Sequence, residues 1–222
     1  MLLRTLLMLV ALIVVMGLLV FVPAGTLAYW QAWLALACYF LASLVVSIWL
    51  AGNDRALLER RMKGGPFAEG ERSQKVIMTI ASLAFVALLV IPGFDRRFGW
   101  SSMPGAIALL GDALMLLGWL GILAVFRANS FAAATIQVAA DQKVISTGPY
   151  AVVRHPMYAT ATLMILGLAL AFGSWWGLLP FAIFLPALAW RLLDEERVLR
   201  RDLAGYAAYC RTVRWRLLPA IW

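Results

Sequence analysis

Six apolar runs divide the chain, and nearly every charge falls between them. They extend from Leu6 to Val22, Tyr29 to Leu50, Val76 to Ile91, Pro104 to Phe126, Tyr158 to Phe172 and Trp175 to Trp190. A membrane-spanning helix needs about 20 apolar residues, with about 17 as the lower end. The first, second and fourth runs meet that length. The fifth and sixth are shorter and are parted only by Gly173 and Ser174, which predicts a tight helical hairpin. Charged residues make up 14% of the 222 positions, against about a quarter in a soluble domain, too few to cover a water-facing surface. The sequence therefore predicts an all-α integral membrane protein. It should be a bundle of five to six transmembrane helices with a short C-terminal hairpin. The first run is too long for the apolar core of a signal peptide, and Pro23-Ala24-Gly25 is a weak cleavage site, so it reads as a retained helix.

Charge orients the bundle. Of 19 lysines and arginines, only Arg96 and Arg97 fall in a loop on one side. The rest lie before the first run, between the second and third, between the fourth and fifth, or after the sixth. The cation-rich side is expected to be cytoplasmic, with both termini inside, as six crossings require. The net charge of +8 then follows from topology and attraction to anionic headgroups, and nucleic-acid binding is not expected. Two cysteines, Cys38 and Cys210, and one histidine give neither a disulfide framework nor a metal-ligand spacing. The stretch Arg55 to Met62 is amphipathic and can lie along the membrane surface; the favoured reading of this region is a solvated loop with some helix. Asp112, inside the fourth run, reads as interfacial or helix-paired, since an unpaired charge at mid-helix costs about 2.5–3.5 kcal/mol.

Two cytoplasmic segments flank the hairpin and hold most of the unusual polar residues. The first, Ser130 to Tyr158, ends in Gly148-Pro149-Tyr150 and Arg154-His155-Pro156-Met157-Tyr158 and contains the single histidine. The second, Arg191 to Trp222, begins Arg191-Leu192-Leu193-Asp194-Glu195-Glu196. Each piece has an ordinary explanation. Arg154 can be a membrane anchor, Pro156 a helix start at the first position, and the two tyrosines interfacial aromatics. The acids can be a solvated face, with Arg191 and Glu195 an i,i+4 pair. A short hairpin nevertheless brings the two segments together, which predicts a composite polar pocket at the cytoplasmic end.

These segments, with Thr147, Gly205-Tyr206, Tyr209 and Val213 to Pro219, resemble the isoprenylcysteine carboxyl methyltransferase family; phospholipid N-methyltransferases share the broader pattern. The resemblance covers roughly the last 95 residues and divides the chain into N-terminal transmembrane helices, 1–126, and a cofactor-binding and catalytic region, 127–222. It implies an S-adenosylmethionine-dependent methyltransferase acting on a lipidic or small hydrophobic acceptor that enters sideways from the bilayer. Carried over by position, Gln142, Lys143, Val144 and Ile145 line the adenosine side, with Gln137 joining on looser spacing. Tyr150, His155, Pro156, Met157, Tyr158 and Glu195 contact the cofactor, and Arg154 or His155 takes its carboxylate. Arg191 matches the arginine associated with the acceptor. A carboxylate acceptor, the favoured one, is already nucleophilic; an amine or thiol needs a base, for which Glu196 or His155 is available. Where many relatives have glycine two residues after Tyr158, this chain has Thr160, which is expected to leave less room for the cofactor or to offer it a hydroxyl.

Phospholipid N-methylation and thiol S-methylation remain alternatives. A sterol-type reductase using NADPH would want more basic residues for the cofactor phosphate, and a small transporter would place polar groups near the midplane. An alanine- and arginine-rich composition points to a high-GC bacterium, and so to its inner membrane.

Overall fold

The computed structural model describes residues 2–62, 64, 71–132, 134 and 142–222. Among these every regular element is helical: α1 Leu2–Ala24, α2 Trp30–Asn53, α3 Arg55–Met62, α4 Arg72–Phe98, α5 Gly105–Ala128, α6 Pro156–Ala171, α7 Leu178–Asp202 and α8 Tyr206–Thr212, with 3-10 turns at Gly148–Ala151 and Trp175–Gly177. Five of them, α1, α2, α4, α5 and α7, are long and apolar enough to cross a membrane, and α6 is a shorter apolar helix. Their outward faces are hydrocarbon: Leu3 is 70% exposed, Val22 67% and Leu120 62%. A surface of that kind is stable only against lipid or protein. The protein is an integral, multi-pass membrane protein.

The core forms where α1, α2, α4, α5 and α6 meet, around Met16, Val20, Ala32, Leu36, Leu88, Met115, Leu168 and Phe172. In lipid there is no hydrophobic drive between helices, so close backbone approach through small residues has to hold them. The α5–α6 pair shows this most plainly. A Cβ added to Gly167 would lie 2.3 Å from the Met115 nitrogen, one on Gly111 2.5 Å from the Ala171 nitrogen, and one on Gly118 2.6 Å from Met164. Consequently α6 packs chiefly on α5, and α7 on α4. The two arms of the expected hairpin follow each other in sequence but lean on different partners.

Two boundaries differ from the hydropathy reading. The helix containing the sixth run continues past Trp190 to Asp202, because charged side chains on a helix emerging from the bilayer cost nothing to its backbone. Residues 55–62 form a helix seated on the bundle, with Leu57 and Leu58 buried against Val46, Leu50, Ile122 and Phe126. Some helix was expected in that stretch, but its burial against the bundle overturns the solvated reading. Asp112 is also not paired: both carboxylate oxygens are buried without a hydrogen-bond partner among the described residues.

Candidate functional site

The polar segments do converge, at the end of the bundle that also holds the start of α1 and the end of α3. Their junction is a latch centred on Glu196. Arg154 Nε donates to its Oε1 at 2.7 Å, and Arg216 Nε to its Oε2 at 3.1 Å. His155 Nε2 lies 3.3 Å from Oε1 and 3.4 Å from the Tyr206 hydroxyl. Arg154 also donates through Nη1 to the carbonyls of Val213, at 3.1 Å, and Arg214, at 2.8 Å. The backbone N–H groups of Arg154 and His155 reach the carbonyls of Trp215 and Arg216, both at 2.9 Å. Pro156 begins α6, where its missing N–H leaves no gap in the helix. The latch thus ties the start of α6, the middle of α7 and the C-terminal tail into one unit. Arg154, His155 and Glu196 are all buried, and their polar atoms are directed at one another.

Glu195 points elsewhere. It lines a cavity of about 750 Å³ and accepts a hydrogen bond from the Tyr158 hydroxyl. The same polar end is walled by Arg61, Asn129, Gln142, Lys143, Val144, Ile145, Tyr150, Met157 and Arg191. Arg154 and His155 contribute to that wall from behind, whereas Pro156 and Glu196 do not line it. Gln137 lies outside the described residues. Tyr150 is fixed at both ends: its hydroxyl accepts from Asn129 Nδ2 at 2.8 Å and its carbonyl from the Tyr209 hydroxyl at 2.7 Å. Burial pushes the Tyr150 phenol up to about 12, so it remains a protonated donor at any working pH.

Arg191 is buried and held from two sides. Its Nη1 donates to Gln74 Oε1 at 2.8 Å and its Nη2 to the Ala134 carbonyl at 2.9 Å. Gln74, at the start of α4, in turn donates to Asp194, which also accepts from Ser73 and Arg197. Arg191 also meets the Tyr158 side chain, so its guanidinium is fixed in orientation. Sequence reasoning missed Gln74, Asn129 and Arg61. A glutamine and an asparagine at helix ends carry no chemical signal alone, and Arg61 was hidden in a stretch assigned to solvent.

From this polar end the cavity continues as an apolar arm between Leu9 and Leu12 of α1, Tyr39 and Val46 of α2, Ile77 of α4, Trp119 and Ile122 of α5, Met164 of α6, and Phe184 and Leu188 of α7. From Leu50 to Tyr39, both on its wall, the rise along α2 is about 16 Å. Thr160 does not intrude. Its hydroxyl turns back to the carbonyls of Pro156 and Met157, at 3.0 and 3.1 Å, and its methyl faces α5, 2.3 Å from where a Cβ on Gly121 would be. The threonine neither narrows the cavity nor offers it a hydroxyl.

A family model described as Phospholipid methyltransferase matches residues 106–204, from the start of α5 through α7, and so takes in the α5–α6 pair and the acidic face of α7. No curated protein matches the chain at a significant level.

Proposed function

We propose that this chain methylates a lipidic acceptor with S-adenosylmethionine as donor, a reading supported by the match of residues 106–204 to the phospholipid methyltransferase model, whose family of membrane methyltransferases is related to the isoprenylcysteine carboxyl methyltransferases. The observation carrying this reading is one continuous cavity with Glu195, Tyr158 and Arg191 at a polar end and an apolar arm reaching deep into the bundle. Its volume falls within the range of small-molecule sites, about 300–1,000 Å³.

The donor set suits the cofactor. It carries a sulfonium, an ammonium and a carboxylate. Glu195 offers a carboxylate to a cationic or hydroxyl group, the faces of Tyr150 and Tyr158 favour a cation, and Lys143 offers a charge to the carboxylate. When bound, S-adenosylmethionine supplies an electrophilic methyl group. Displacement at such a methyl is governed mainly by alignment, and the protein's part is to hold the acceptor still and dry. Arg191, braced by Gln74 and the Ala134 carbonyl, is the orienting residue for the acceptor head. Glu196 is committed to the latch and does not line the cavity, so it is not positioned as a free base. That favours an acceptor that needs none, a carboxylate. Phospholipid N-methylation is the second reading, favoured by the family match, and in it Glu195 is the carboxylate available for the proton. In this proposal the cation-rich end faces the cytoplasm, as the positive-inside bias favours.

Calorimetric titration of the purified protein with S-adenosylhomocysteine and, separately, NADPH tests the proposal. Binding of the first alone is expected; binding of NADPH alone would instead assign a reductase.

A further inference from the structure

One side of the apolar arm is not apolar. The residues that α2 contributes to the cavity wall are Tyr39, Ser43, Val46, Ser47 and Leu50. Tyr39, Ser43 and Ser47 recur every four residues, which sets them on one helical face, each step a rise of about 6 Å. Leu50 belongs to the cluster of Leu58 and Phe126 beside the polar end. The three hydroxyl residues therefore run from just inside that end towards the middle of the bundle.

Several hydroxyls elsewhere in the apolar helices turn back on their own backbone. Thr79 donates to the Lys75 carbonyl and Ser82 to the Met78 carbonyl, both at 2.7 Å, and Thr162 to the Tyr158 carbonyl at 2.8 Å. That is the common way for a helix to satisfy such a group. Ser43 follows it, donating to the Phe40 carbonyl at 2.9 Å, and so offers the cavity only lone pairs. Tyr39 and Ser47 do not follow it: neither hydroxyl has a hydrogen-bond partner among the described residues. Nor is either sealed inside protein. Among the described residues, the partnerless polar atoms closed off from any space belong to Gln31, Arg60, Asp112 and Trp119. The Tyr39 ring is held edge-on to Trp119, with centroids 5.3 Å apart, so its phenol is presented by a fixed support. A hydroxyl withdrawn from water without a partner costs free energy, and α2 turns two of them to the same space.

We propose that Tyr39, Ser43 and Ser47 form a hydrogen-bonding stripe that recognises an oxygen function, a hydroxyl or a ketone, carried part-way along the hydrocarbon chain of the ligand in the arm. This rests on the methyltransferase reading for its meaning, since the ligand is then the methyl acceptor. It makes Tyr39 a specificity-determining residue for the acceptor's chain, independent of the chemistry of its head. Either oxygen accepts from Tyr39 or Ser47; a hydroxyl can also donate to Ser43, which a ketone cannot. An unbroken hydrocarbon chain leaves the free hydroxyls unpaired, which is how a polar site rejects an analogue lacking the polar group.

The test walks one oxygen along one chain. Octadecanoic acid and its derivatives with a hydroxyl or a ketone at the sixth, tenth or fourteenth carbon are titrated into the purified protein in neutral detergent. An added oxygen makes the chain less apolar and by itself weakens binding, so a gain is specific. At least one oxygenated acid should bind about three- to tenfold more tightly than octadecanoic acid, the net worth of one neutral hydrogen bond. The better oxygen identifies the function. Tyr39→Phe, which keeps the ring against Trp119, should remove most of the preference and leave octadecanoic acid binding equal or tighter. Its thermal midpoint should not fall, because the hydroxyl it deletes has no partner in the protein. Ser47→Ala should remove a smaller part. No preference at any position, as a stripe that only orders water would give, overturns the proposal. So does an undiminished preference in both variants, a lowered midpoint in Tyr39→Phe, or no saturable binding of any probe. S-adenosylhomocysteine affinity, expected to be unchanged in both variants, reports separately on the methyltransferase reading: its absence from the unsubstituted protein would remove that reading while leaving the stripe standing.

Discussion

Glu195 and Glu196 are neighbours on α7, yet a helix rotates about 100° per residue, and this turns one carboxylate into the cavity and the other into the latch. Their substitutions should part accordingly. Glu195→Gln is expected to keep the folded yield and weaken S-adenosylhomocysteine binding about tenfold, as loss of one charge-assisted hydrogen bond would. Glu196→Gln leaves Arg154 and Arg216 without their counter-charge, a loss of about 3–5 kcal/mol for a broken buried pair, seen as a lowered thermal midpoint before any change in affinity. Equal thermal midpoints for the two variants would contradict this division. The sequence made both acids conspicuous but not their division of labour, because Glu196's partners come from residues 154, 155 and 216 and only the folded tail assembles them. Arg191 was legible because it stands one turn before Glu195 and matches the arginine that the family resemblance associates with the acceptor. Arg61 was not, because nothing near it in sequence hints that α7 lies across the cavity.

At the scale of elements, hydropathy located the long helices well, since a bilayer demands length and apolarity and both are countable. It was blind to which helix leans on which. That information lies in Gly111, Gly118 and Gly167, where α5 and α6 touch backbone to backbone. Gly111 and Gly118, seven apart, fall on one helical face, a spacing visible in the sequence once small residues are read as contact points. Gly118→Leu should separate the pair. Overpacking of this kind costs about 1–3 kcal/mol or more, and the expected sign is loss of a monodisperse peak in size-exclusion chromatography together with loss of S-adenosylhomocysteine binding, because α6 carries Tyr158. A folded Gly118→Leu protein with unchanged affinity would show that α5 does not position α6. The charged half of α7 was underestimated for a related reason: hydropathy marks where lipid ends, and the helix does not stop there.

On the scale of the molecule, the cavity draws its walls from α1, α2, α3, α4, α5, α6 and α7, so the division at residues 126 and 127 separates sequence patterns but not the site. The N-terminal helices supply most of the apolar arm, and the matched region supplies most of the polar end. On the proposed reading, with the arm set among membrane-spanning helices, the acceptor would arrive dissolved in lipid, and its abundance would count per unit of membrane area, not per litre. Turnover should then obey surface dilution. With membrane lipid extract as acceptor in mixed micelles, adding inert neutral detergent at constant total acceptor should slow methylation in proportion to the falling mole fraction. A rate set by bulk concentration alone would mean that the acceptor enters from water. If dilution governs, the physiological control on this protein is the composition of the two-dimensional solvent around it, and a change in the surrounding lipid could alter its flux with no change in the amount of enzyme or cofactor.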